Sequence, residues 1–139
     1  GTIAGILLTE LLSGRKHAWT DVYDPSRIRA KAGQEIMKEN ANTAKAYAVG
    51  WFGPGASEDT DMKPNTGKVI RKGITKIALY CDDNGKVHAC SAVCPHRKGI
   101  VQWNSLEQSW DCPCHGSRFD AYGKVINGPS MHDLPKAEA

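Results

Sequence analysis

Cys94-Pro95-His96-Arg97-Lys98-Gly99 and Cys112-Pro113-Cys114-His115-Gly116-Ser117-Arg118-Phe119-Asp120 are the stretches that decide how this chain folds. The first box sets a Cys-x-His pair and the second a Cys-x-x-His pair, with fifteen residues between His96 and Cys112. Two thiolates and two imidazoles on two loops can hold a [2Fe–2S] core asymmetrically, Cys94 and Cys112 on one iron, His96 and His115 on the other. Two ferric ions, two sulfides and two thiolates sum to zero formal charge, whereas an all-thiolate core is a dianion, so an electron enters far more easily. Imidazole donates less electron density than thiolate, which localises the added electron on the iron held by His96 and His115.

The same four residue types also make a tetrahedral zinc set. Zinc fingers, however, run Cys-Cys then His-His, with like ligands on each knuckle. Here each box mixes them, which suits a diiron core because each loop must reach both irons. A zinc-stapled interaction module, and buried cysteines with incidental histidines, remain as the alternatives that spacing leaves open.

Across residues 67 to 130, the chain resembles a Rieske iron–sulfur domain, carried by the boxes CPHRKG and CPCHGSRFD. The resemblance implies a mainly β fold: an antiparallel β-sandwich with a two-loop cluster-binding subdomain. It implies Cys94, His96, Cys112 and His115 as the cluster and metal ligands, and makes Cys114, Gly116, Ser117 and Phe119 their supporting residues. Gly116 would let backbone approach the cluster without a Cβ, and Ser117 stands where the family places a hydroxyl bonded to a bridging sulfide. Pro95 and Pro113 stiffen the loops.

In high-potential family members, a second cysteine in the first box bridges to the middle cysteine of the second. That position is Gly99 here, so Cys114 lacks its usual partner. A tyrosine of those proteins is replaced by Phe119, removing a hydrogen bond to sulfur. Both departures imply a potential below the top of the family's range of about −150 to +300 mV. Arg97 and Lys98 favour the reduced state if they lie near the cluster, an effect that solvent screening keeps small.

The chain has 139 residues, a formal net charge of +3 and five cysteines. That charge is too modest for nucleic-acid binding, and no basic run is interleaved with aromatics. Length excludes an oxygenase with its own mononuclear iron site, for which only His17, His88 and His132 are left over. With Cys94 and Cys112 assigned as ligands, Cys81, Cys90 and Cys114 form an odd remainder that fits a reducing cytoplasm. The apolar stretch from Thr2 to Leu12 is shorter than the ~20 residues that span a bilayer, so no membrane span is expected.

Residues 2 to 13 read as a helix closed by Gly14, with Ile3, Leu7 and Leu11 on one row and Ala4, Leu8 and Leu12 on the next. Apolar rows that broad call for burial on most sides. Asp24 and Pro25 read as the cap and first turn of a further helix, and Gly33 to Phe52 as helical until the Gly-Pro-Gly at 53–55. Beyond Gly67 the runs KVI, ITKIALYC, KVHACSAVC and KVIN read as strands, and alternation in Thr75 to Cys81 suggests one that is half-buried. The expected division is a helical tail at 1–52, a connector at 53–66, locally acidic, and the iron–sulfur domain at 67–139.

The stretch GTIAGILLTELLSGRKHAWTDVYDPSR is similar to the C-terminal end of FAD-dependent oxidoreductases of the glycine/D-amino-acid oxidase type. In that family the start of this helix, here Gly1 and Thr2, lies beside the flavin, where helix amides favour negative charge on the ring. Joined to the Rieske resemblance, it implies the subgroup that fuses both cofactors, with FAD held by residues outside this chain. No G-x-G-x-x-G fingerprint occurs here to build a dinucleotide site. The expected function is one-electron transfer between an upstream flavin domain or another redox partner protein and the cluster. The rival within this chemistry is a free-standing Rieske ferredoxin serving an oxygenase.

Overall fold

A computed structural model describes residues 1–27, 30–56 and 61–138. It divides into two compact units, Gly1–Glu39 and Asn40–Ala139.

The first unit is helical. Helix α1 spans Thr2–Leu12 and buries none of its residues; Leu8, Leu11 and Leu12 are all exposed. Its broad apolar surface, which called for burial, is left largely uncovered among the described residues, with Leu7 half-buried. Gly14 closes the helix in the left-handed region, φ 69°, donating its amide to the Leu11 carbonyl, and Arg15 forks onto Glu10. A single turn, α2, covers Thr20–Tyr23. Asp24 accepts the amide and hydroxyl of Ser26 and so caps the turn that follows, while residues 28 and 29 lie outside the described ones. Helix α3, Ala30–Phe52, runs from this unit into the next.

The second unit holds two antiparallel sheets, mainly β in the way the two boxes predict. Strands β1 (Thr66–Lys72), β2 (Thr75–Cys81) and β3 (Val87–Ser91) form a three-stranded meander. Strands β4 (Gln102–Asn104), β5 (Ser109–Asp111), β6 (Arg118–Asp120) and β7 (Val125–Asn127) form the second sheet. Two of the hairpins share one turn chemistry. In Asp82-Asp83-Asn84-Gly85-Lys86, the first carboxylate accepts the amides two and four residues on, and in Asp120-Ala121-Tyr122-Gly123-Lys124 it does the same. Gly85 and Gly123 supply the positive φ, 80° and 89°, that each turn needs.

Strand β2 corrects the half-buried reading: every residue from Lys76 to Cys81 is buried. It is the central strand. Ala78 and Tyr80 join the main core with Cys90, Trp110, Phe119 and Leu134, while Ile77 and Leu79 form a second cluster with Ile70 on the other face. The main core also takes in Ala46, Tyr47 and Trp51 of α3. The compact unit therefore starts at Asn40, inside the stretch 1–52 read as a separate tail, because the last turns of α3 pack on the β structure. Within the expected connector, the Ala56 amide bonds to the Val69 carbonyl; residues 57–60 lie outside the described ones.

Candidate metal centre

The two boxes adopt the same backbone trace. In the first, the Cys94 amide donates to the Gly99 carbonyl at 2.8 Å and the Lys98 amide returns to the Cys94 carbonyl at 2.9 Å. In the second, the Cys112 amide donates to the Ser117 carbonyl at 2.8 Å and the Gly116 amide to the Cys112 carbonyl at 2.9 Å. Each loop thus begins on a cysteine, turns at proline, and closes with a left-handed residue four positions on: Lys98 at φ 61° and Gly116 at φ 77°. A Cβ on Gly116 would meet no protein atom, so within the protein its glycine answers to the positive φ rather than to a tight approach.

The tight approach is at Gly99. A Cβ there would lie 2.7 Å from Cys114 Sγ and 3.1 Å from Cys112 Sγ. The first loop therefore lies directly against the thiols of the second. Cys94 and Cys112 are 1% and 3% exposed. Burial pushes the Cys112 thiol up to about 12, so it keeps its proton at neutral pH unless a metal displaces it. Burial likewise raises Cys114, which sits beside it without a disulfide.

His96 and His115 are both exposed, ring centroids 4.9 Å apart and nearly perpendicular. Partial burial lowers the His115 pKa, with His96 and Arg97 adding to the effect, so the ring favours the neutral form that a metal requires. Among the described residues, no three Cys, His, Asp or Glu side chains gather as a single-ion site needs. The donors are instead two buried thiols and two exposed imidazoles. This donor set fits a two-iron core; Cys94, His96, Cys112 and His115 are the residues read from the spacing, and Cys114 is a further buried thiol beside Cys112.

Ser117 is fully buried; its oxygen accepts the Ser130 amide at 3.0 Å, leaving its proton free to donate. Phe119 is also fully buried, within the main core. Of the leftover histidines, His17 accepts the Trp19 amide and His88 pairs with Asp82 at 2.8 Å.

Two residues went unnoticed as part of this site. Tyr47 donates its hydroxyl to the Arg97 carbonyl, and Trp51 donates Nε1 to the Lys98 carbonyl at 2.9 Å. Their spacing, four apart just ahead of the Gly-Pro-Gly stop, was the available signal.

Fold and donor set together define an iron–sulfur protein. A family model for the Rieske [2Fe–2S] domain matches residues 55–138. YhfW of Bacillus subtilis (strain 168), named as a Rieske 2Fe-2S iron–sulfur protein, is 31% identical over 137 residues, covering 98% of this chain and 27% of that one. The cytochrome b6-f complex iron–sulfur subunit of Synechococcus sp. (strain WH7803) is 28% identical over 137 residues, covering 99% of this chain and 71% of that one. Among solved structures, the cyanobacterial plasma membrane Rieske protein PetC3 from Synechocystis PCC 6803 matches with TM-score 0.48 and 29% identity, covering 52% of this chain and 74% of that one. The chain belongs to the Rieske [2Fe–2S] family. It is accordingly an electron-transfer domain of the [2Fe–2S] type. It spans about a quarter of the length of its Bacillus relative.

Proposed function

We propose that Cys94 and Cys112 bind one iron and His96 and His115 the other, and that this chain passes single electrons through its exposed histidine edge. The observation that carries the reading is the sorting of donors, thiols buried and imidazoles exposed. The cluster supplies a one-electron store. The protein's part is to insulate the sulfur side and present both imidazoles to a partner. Metal analysis of anaerobically purified protein is expected to give about two irons and two acid-labile sulfides per chain, with a red-brown colour. Zinc without sulfide, in colourless protein, would refute the assignment.

We further propose that the electron comes from, or goes to, a flavin in a FAD-dependent oxidoreductase of which this chain is a module, working in the cytoplasm. Support comes from the resemblance of residues 1–27, from the additional length of the Bacillus relative, and from five cysteines without a disulfide. Among the described residues, no helix is long and apolar enough to cross a membrane. The test is expression of the complete open reading frame, which is expected to show flavin and iron–sulfur absorption together, with photoreduced flavin reducing the cluster. A reading frame without a flavin domain would favour the free-standing ferredoxin.

A further inference from the structure

The last turns of α3 lie outside the stretch matched by the family model, yet they touch the cluster loops. Residues 43, 46, 47, 50 and 51 form the one stripe of this segment that is not fully exposed, the spacing of a helix face laid on a surface. Gly50 lets that face come close, since a Cβ there would stand 3.0 Å from Ile100. The helix end is anchored by cations. Arg71 donates to the Trp51 and Gly53 carbonyls, and buried Lys76 donates to the Gly53 carbonyl at 2.8 Å. Both satisfy carbonyls that a helix C-terminus leaves open, and both complement its dipole.

So anchored, the face sets two donors on the backbone of the first box, Tyr47 on Arg97 and Trp51 on Lys98. The comparison with the second box shows why this matters. The two loops share one hydrogen-bond pattern, but where the second closes on Gly116, the first closes on a lysine in the left-handed region. A side chain with a Cβ disfavours that conformation, and an outside restraint helps to hold it.

We propose that Tyr47 and Trp51 are positioning residues of the cluster centre, clamping the first box through the Arg97 and Lys98 carbonyls and so fixing the His96 imidazole. This rests on the ligand assignment above. The clamp does by hydrogen bonding what glycine does for the second box.

The test uses the whole chain with Tyr47→Phe, Trp51→Phe and both together, substitutions that keep most of the ring packing. Amide exchange, read by mass spectrometry, is expected to be about tenfold faster in the double variant for peptides covering Cys94–Gly99, and unchanged for those covering Cys112–Ser117. The reduced cluster's electron paramagnetic resonance lines should broaden as His96 samples several orientations, while iron content stays as in the parent. Adding Lys98→Gly should restore slow exchange and narrow lines, because glycine needs no clamp. Unchanged exchange in the first box, or equal acceleration in both boxes, would overturn the proposal. If the parent protein carries no cluster, the ligand assignment fails, and the exchange measurement still decides the clamp.

Discussion

Gly99 stands against Cys114: a Cβ built on the glycine lies 2.7 Å from the cysteine's Sγ and 3.3 Å from its Cβ. Disulfides have Cβ–Cβ separations of about 3.5–4.5 Å, so a small loop adjustment brings the pair into bonding geometry. Gly99→Cys is therefore expected to form a bond with Cys114 on oxidation. Mass spectrometry after thiol alkylation detects it; two alkylated thiols in cluster-loaded, oxidised protein would contradict the geometry.

On the ligand assignment proposed above, Ser117 is expected to tune the potential. Its oxygen is taken by the Ser130 amide and its proton is free, so Ser117→Ala removes that donor and also leaves the buried Ser130 amide without its acceptor, at a cost in stability. A hydrogen bond to a charged acceptor is worth ~1.5–3 kcal/mol, which for one electron corresponds to a potential lower by about 65–130 mV. Phe119→Tyr, adding a buried hydroxyl, is expected to shift it upward. Protein-film voltammetry on matched variants reads both, and shifts of reversed sign would mean that neither side chain faces the cluster.

The boxes are legible in the sequence because metal ligation demands particular residue types at fixed separations. The turns at residues 82–85 and 121–123 are legible for a similar reason, since glycine there does something few residues can; the Asp120 carboxylate is seen only in the structure. Strands β4, β5 and β6 are three residues each, too short to display alternation, and pass unseen, whereas the equally short β7 is read from its β-branched Val125-Ile126 pair. In β2, hydrophobic residues on both faces flank a lysine whose charge suggests a wet side; Lys76 is in fact buried and bonded to the Gly53 carbonyl. The part played by α3 is hidden for a different reason. Tyr47 and Trp51 act on main-chain carbonyls, which every residue has, so the acceptor side leaves no trace in the sequence.

The acid limb of stability should report on Asp82. Its hydrogen bond with His88, then the Lys86 and Asn84 amides, hold its carboxyl below the usual aspartate range against the opposing effect of burial. A depressed folded pKa stabilises fully above the unfolded value of about 3.9; the contribution falls as pH drops below that and is gone past the folded value. Asp82→Asn should therefore lose stability at neutral pH and show a flatter decline below about pH 4. Thermal unfolding across pH measures this, and parallel curves for parent and variant would rule the linkage out.

Gly67 on β1 tests the packing between the two sheets. A Cβ there would come within 2.4 Å of the Trp103 ring, which sits between Tyr80 and Trp110 at centroid distances of 5.4 and 4.8 Å. An indole held on both sides by aromatics has little room to retreat. Gly67→Ala is expected to cost about 1–3 kcal/mol, the usual range for overpacking. Part of that cost arises from strain against one side chain, so Trp103→Phe, a smaller ring, should recover some of it in the double variant although it is itself destabilising. It also removes an Nε1 that is buried without a partner, a group whose desolvation is unfavourable. Urea unfolding of the four proteins gives the coupling energy between positions 67 and 103. Additive losses would mean that Gly67 matters to β1 for its backbone and not for its contact with Trp103.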